Sequence, residues 1–330
     1  MNRFCRRLFW VALLIFPLLA CQLQGDGSTP VKTTSSLAST VISRREYAVH
    51  QRLTLVNEGP GQPEKQNLWV ALIQTVPPYQ EVLSLEITPK EYVLVTDEYG
   101  NNYAEFDLSA HPAGTSKEVK IDYRLVVNEL AYDLSTCEGE SPELFTQPEL
   151  HIESANPQIV TLASELSQGK KNVCQQVRAF YDYIGNELVY SYNRNDWGAQ
   201  AALGQMGADC TEYTALLVAL SRAQKIPARY ITGLIYLDKE TKALARLEHA
   251  WADVYMPGIG WVAIDPTLGR SSIFRENYFA HHTAEHIIVS VGNNPSTLRG
   301  ASYWTHLYWP GNSTKIRIEA AEWEIKPVEE

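Results

Sequence analysis

A chain of 330 residues with 45% apolar content is long enough to bury a sizeable core, and two domains fit that length better than one. Its formal net charge of −10 offers no basic face for nucleic acid, which removes nucleic-acid binding from the candidate functions. It also carries no phosphate-cradling glycine loop and no serine-nucleophile elbow.

The first twenty residues are chemically distinct from the rest. Arg3, Arg6 and Arg7 precede the apolar run LFWVALLIFPLLA at residues 8–20. A membrane-spanning helix needs about 20 such residues, whereas this shorter run suits the leader of an exported protein. The run ends in LLAC, residues 18–21, which resembles the lipobox of bacterial lipoproteins. The resemblance implies a signal peptide at 1–20 and lipidation of Cys21. Gln22 in place of aspartate then implies anchoring in the outer membrane, facing the periplasm. An ordinary secretory leader or an uncleaved anchor is the alternative. Loss of the leader takes three arginines and no acids, so the net charge falls from −10 to −13. A body of that charge is repelled by anionic headgroups and suits a tether. Residues 21–40, rich in Ser, Thr and Gly, read as that tether. Once Cys5 is removed and Cys21 lipidated, Cys137, Cys174 and Cys210 remain. An oxidising compartment can join one pair of them, and Cys137 with Cys174 is the expected pair, leaving Cys210 free.

Residues 41–150 read as strands. YAVHQRLTLVN, QNLWVALIQTV, EVLSLEI, EYVLVTD, NYAEFDL and KEVKIDYRLVVNELAYDL alternate or are dense in β-branched and aromatic residues, with turn signals such as NEGPGQP between them. That rhythm predicts an immunoglobulin-like antiparallel β-sandwich without a catalytic cluster of its own.

Near Asn156 and Pro157 the period changes. Val173, Val177, Phe180 and Ile184 fall on one helical face, with Cys174 beside it at a half-buried position. Tyr213, Leu216, Leu217 and Leu220 form a second stripe on a helix ending near Gln224 and Lys225. The runs ARYITGLIYL, HAWADVYM, WVAIDPT, HIIVSVG and TKIRIEAAEWEI follow as strands. Residues 151–330 therefore predict an α+β domain, helices first and an antiparallel sheet second.

The second helix opens on a cysteine. Asp209 reads as its N-cap, Cys210 as the first helical residue and Glu212 as N3, a D-x-x-E capping box. A thiol there faces unpaired backbone N–H groups and the positive end of the helix dipole, which favour thiolate and can hold an oxyanion. Asp209 opposes this with negative charge, so a base is needed. EHAWADVYMPGIGWVAIDPT reads as a hairpin with His249, Trp251, Asp253 and Tyr255 on one face of the first strand. Trp261, Ala263 and Asp265 share a face of the second. A turn centred on Pro257 sets His249 opposite Asp265; centring on Gly258 makes them diagonal neighbours. Either register lets the carboxylate accept the imidazole N–H.

GADCTEYTALLVALSRAQKIPARYITG followed by HAWADVYMPGIGWVAIDPT resembles the transglutaminase-like core of the papain-type cysteine enzymes. That family carries a cysteine at a helix start, an R-A-x-G-I-P-A-R turn, an H-A-W strand and a G-W-x-x-x-D-P-T strand. The resemblance spans residues 173–292 and implies Cys210 as nucleophile, His249 as base, Asp265 as orienter and no cofactor. Lys225 departs from the family's glycine, which bears on the shape of the turn. An oxyanion-hole side chain would come from LVYSYNRNDWGAQ, where Tyr190 is favoured over Tyr192 and Trp197. Trp251 and Trp261 read as core or cleft wall, Glu248 and Asp253 as solvated strand charges, and Arg229 as the partner of a nearby carboxylate. HHTAEH offers His281, His282, Glu285 and His286, ligand types without the flanks of a zinc motif, so a surface loop followed by the strand HIIVSVG is favoured and no metal is expected.

The sequence thus predicts an exported, lipid-anchored cysteine enzyme acting by acyl transfer on a protein or peptide of the cell envelope, hydrolysis being favoured over crosslinking. A non-catalytic adaptor using the same cleft is the alternative.

Overall fold

A computed structural model describes residues 39–192, 197–204, 207–236, 248–298, 305–308 and 314–329. The expected signal peptide, Cys21 and the tether up to residue 38 lie outside the described residues. Ser39 and Thr40, the end of the expected tether, already belong to the first strand. Among the described residues no helix is long and apolar enough to cross a membrane.

Six strands follow the predicted runs: β1 (Ser39–Gly59), β2 (Asn67–Ala71), β3 (Gln80–Thr88), β4 (Val93–Thr96), β5 (Asn102–Asp107) and β6 (Ser116–Tyr132). Period-two alternation sets their faces. Tyr47, Val49, Leu53 and Leu55 of β1 and Val119, Ile121 and Leu125 of β6 are buried, and they pack against Leu68, Val70 and Phe106 of the opposing sheet.

The division expected at residue 150 differs from the fold. A strand near the C-terminus, Lys315–Pro327, runs antiparallel along β1, and Thr305–Tyr308 pairs with β2. A two-residue strand, His281–His282, extends the outer side of β6. Both sheets of the sandwich are therefore completed from beyond residue 280. The physical reason is the length of β1, whose second edge would otherwise stand unpaired.

The remaining elements are α1 (Pro157–Ser167), α2 (Val173–Glu187), α3 (Ala199–Leu203) and α4 (Cys210–Ala223), then β7 (Ala228–Ile235), β8 (Glu248–Met256) and β9 (Gly260–Ile264). With β10 and β12 assigned to His281–His282 and Thr305–Tyr308, β11 is His286–Val291 and β13 is Lys315–Pro327. The second sheet system is antiparallel in the order β11-β7-β8-β9. Helices packed on this sheet, beside a β-rich N-terminal region, make the α+β class. Asn156 caps α1 and Asn172 caps α2, each side chain accepting a backbone N–H. Cys137 is disulfide-bonded to Cys174, tying the loop after β6 to α2. Cys174 is buried rather than half-buried, because the disulfide sits over Met256.

Helix α4 is the hub. From Glu212 to Arg222 every residue is buried, so this helix has no solvent face at all. Arg222 ends the buried run inside the protein, where it pairs with Glu149 at 2.9 Å and donates to the carbonyls of Ala228 at 2.8 Å and Gln147 at 2.7 Å. The outer edge of β11 is closed by side chains of the sandwich. Gln80 bonds both the N–H and the C=O of Ile288, and Asn101 does the same for Val291.

Candidate active site

Cys210 owes its place to the cap of α4. The Asp209 carboxylate accepts from the Thr211 N–H at 2.9 Å, while Glu212 accepts from the Asp209 N–H at 2.9 Å. The D-x-x-E spacing is thus a formed capping box. Glu212 is fully buried; burial raises its pKa to about 7 against the hydrogen bonds it accepts, with the Asp209 carboxylate adding to the rise. Cys210 is half-buried and, among the described residues, is the free cysteine.

His249 arrives from the middle of the sheet. Tyr255 pairs with Trp261 and Asp253 with Ala263, so the hairpin is centred on Gly258, which holds φ at +78°. Of the two registers open in the sequence this is the diagonal one, and the carboxylate still reaches: His249 Nε2 and Asp265 Oδ2 are 2.7 Å apart. The Cys210 thiol lies near enough to act electrostatically on the imidazole. His249 and Asp265 are 8% and 3% exposed, so this network is shielded from water. Burial acts to lower the His249 pKa, but the Asp265 charge and hydrogen bond, with Cys210 behind them, push it up to about 10. Burial likewise acts to raise Asp265, yet its two imidazole neighbours hold it well below the usual carboxylate range. The two shifts agree on a carboxylate facing an imidazolium at neutral pH.

The D-P-T sequence explains how Asp265 is held. Pro266 turns the chain so that the N–H groups of Thr267 and Leu268 point back, donating to Asp265 Oδ1 at 2.8 and 2.9 Å. Oδ2 is left for the rings. One is His249; the other is His286, whose Nε2 lies 3.1 Å away. His249, Asp265 and His286 present ligand-type atoms within 4.8 Å of one another, a spacing that the shared hydrogen-bond acceptor Oδ2 accounts for.

His286 is the member that sequence reasoning misses, and the reason lies in the HHTAEH segment. Its four ligand-type residues do not share one partner. His281 pairs with Glu129, His282 meets the Asn128 carbonyl, Glu285 pairs with Arg45, and His286 alone turns to the site. The expectation of a surface loop before the strand is corrected as well: His281 and His282 form β10 on β6, and His282 is buried there, while His286 opens the expected strand and is buried as β11 joins β7. No local pattern marks a histidine at the start of a buried strand.

Trp251 is core. It is 1% exposed, T-shaped against His286 with centroids 4.9 Å apart, and nearly parallel to His249 at 6.1 Å. Its ring crosses Gly233, where a Cβ would stand 2.4 Å from the indole and 2.3 Å from the Ile287 carbonyl. Asp253, expected to be a solvated strand charge, is fully buried. The cause is Arg229, which bonds its carboxylate at 2.8 and 3.1 Å and lies 4.3 Å over Trp261. Tyr190 bridges Ala208 through its backbone, so its segment runs beside the start of α4. Its ring lies 4.6 Å from the Arg270 guanidinium and is 48% exposed. Tyr192 and Trp197 are exposed on either side of residues 193–196, which lie outside the described set.

Residues 160–266 match the family model of the transglutaminase-like superfamily. The fold resembles that of a candidate cysteine protease from Cytophaga hutchinsonii, with a TM-score of 0.63 at 16% identity, covering 88% of this chain and 93% of that one. The uncharacterized protein YebA of Bacillus subtilis is 26% identical over 209 residues, 56% of this chain. That match spans only 28% of YebA's own length. Helices α2 to α4 and the β8–β9 hairpin up to Asp265 fall inside the stretch that matches the transglutaminase-like model, which begins within α1.

Proposed function

We propose that the chain is an envelope-anchored cysteine enzyme performing acyl transfer at an amide, with Cys210 as nucleophile, His249 as base and acid, and Asp265 as the orienter of His249. The reading is supported by one imidazole that bonds a buried carboxylate and is influenced electrostatically by a thiol at a helix start. A charged imidazole against sulfur favours the thiolate, which attacks the amide carbon. The carbonyl oxygen, now an oxyanion, is received by N–H groups at the start of α4, with the Tyr190 hydroxyl as the proposed side-chain donor. His249 gives its proton to the departing amine and is left neutral beside a thioester. It then takes a proton from water, or from a lysine amine, as that nucleophile displaces the sulfur.

Water completes a hydrolysis and lysine a crosslink. We favour hydrolysis, since water needs no site of its own. The substrate is a protein or peptide of the cell envelope, reached from a lipid on Cys21 in the outer membrane after residues 1–20 are removed; no cofactor or nucleic acid takes part. Labelled casein, with and without a fluorescent amine, tests the reaction. The wild type is expected to release peptides, and Cys210→Ala to lose at least about a thousandfold in rate. Incorporation of the amine would move the assignment to crosslinking. A Cys210→Ala chain indistinguishable from wild type would leave an adaptor that uses the same cleft.

A further inference from the structure

The Asp265 carboxylate accepts four hydrogen bonds, and only one of them leads towards Cys210. Oδ1 is held by two backbone N–H groups, and Oδ2 is shared by His249 at 2.7 Å and His286 at 3.1 Å. The second ring comes from β11, two strands away from β8 in the sheet. It is 3% exposed, and its Nδ1 lies 2.8 Å from Thr283 Oγ1. Trp251 stands edge-on to it at 4.9 Å and Tyr278 at 6.3 Å, with His282 tilted against it at 5.7 Å, so the imidazole is enclosed by rings.

We propose that His286 is a positioning residue, which donates from Nε2 to Asp265 Oδ2 and so makes a chain of four: Cys210, His249, Asp265, His286. The proposal rests on the reading of Cys210 as nucleophile. In that reaction His249 alternates between imidazolium and imidazole, and its bond to Asp265 weakens each time the charge leaves, because charge-assisted hydrogen bonds are about twice as strong as neutral ones. Without a second donor Oδ2 would be free to swing at that moment about the end pinned by Thr267 and Leu268. His286 supplies a donor whose protonation the reaction does not change. The Thr283 hydroxyl, donating to Nδ1, keeps the proton of His286 on Nε2. Supporting contacts of this kind orient the groups that do chemistry, as outer partners of metal-bound histidines do.

The test compares wild type with His286→Leu and His286→Gln in the full chain, reading the rate of Cys210 alkylation by iodoacetamide through peptide mapping. His286→Leu is expected to react at least about tenfold more slowly at neutral pH, the scale typical of lost supporting contacts, and His286→Gln, which keeps an N–H donor, to recover most of that loss. Nitrogen-15 NMR of histidine-labelled wild type is expected to find the His286 proton on Nε2. This second readout decides the bond even if the leucine variant does not fold. An activated wild-type thiol with an unaltered leucine variant would overturn the proposal alone, as would an Nδ1–H tautomer or one tightly held zinc per chain. A wild-type thiol indifferent to His249→Ala would instead sink the nucleophile assignment, with the tautomer still deciding the His286 bond.

Discussion

Lys225 sits two residues beyond α4 with φ at +61°, the left-handed region in which an L side chain crowds the following carbonyl at a cost of about 1–2 kcal/mol. It stays there because the turn closes two orphan carbonyls of the helix: Lys225 donates to Arg222 and Ile226 donates to Ser221, the paired bonds of a Schellman motif. The related motif has glycine at this point, and the lysine takes up the same turn at a penalty. Lys225→Gly is therefore expected to raise stability by roughly 0.5–1 kcal/mol, seen as a higher urea midpoint at unchanged slope. A midpoint that stays put would mean the lysine strain is relieved elsewhere. Residues governed by neighbours in sequence are legible without the fold. Asp209, Cys210 and Glu212 are placed by a cap, and a cap is a four-residue rule. Asp253 reads as solvated in the sequence because its burial depends on Arg229 across β7, and His286 goes unmarked there because its partner lies on another hairpin.

At the scale of elements, β11 carries His286 into the site but is itself an edge strand of the core sheet. Its free backbone groups are met by two amide side chains of the sandwich, Gln80 and Asn101, each 2% exposed and each taking one N–H and one C=O. An amide is the one neutral side chain that can imitate a strand in this way, as donor and acceptor side by side. Gln80→Ala or Asn101→Ala leaves two buried backbone groups unpaired, so each should lower stability by about 2 kcal/mol or more in urea unfolding. A loss near zero in both would mean that water replaces the amides and that the sandwich does not brace β11. The strands themselves are readable from alternation, but the hairpin register is not: MPGIG allows two centres, and the choice of Gly258 is made by the turn geometry it permits. Helix α4 reads as a one-sided stripe in the sequence, whereas the short apolar side chains between its leucines let it be surrounded completely.

Among the described residues the sandwich takes strands from both sides of the stretch that matches the transglutaminase-like model. Strand β13 returns to β1, and β10 and β11 attach the residues after that stretch to the first half of the chain. A boundary drawn at residue 150 follows the change of period in the sequence, yet such a change marks where elements alter, not where the core is cut. Long-range pairing of this kind leaves no local trace, which is why the fold class is legible in the sequence and the division of the chain is not. The sandwich is thus the frame that holds β11 and, through it, the far end of the Cys210 network.

The central claim is that His249 activates Cys210. His249 holds its proton up to about pH 10, so the imidazolium is present throughout the neutral range and is lost only above it. The direct measurement is the rate of iodoacetamide labelling at Cys210, followed by peptide mapping between about pH 6 and 9, in wild type and His249→Ala. An imidazolium-paired thiolate should give a wild-type rate that is high and nearly flat across that range. The variant rate should start at least about tenfold lower, climb about tenfold per pH unit below pH 8 and level off towards pH 9, as an unassisted thiol with a pKa of ~8.5 does. A wild-type rate that climbs in step with the variant's would contradict the claim, since the thiol would then be reacting without the help of the imidazole beside it.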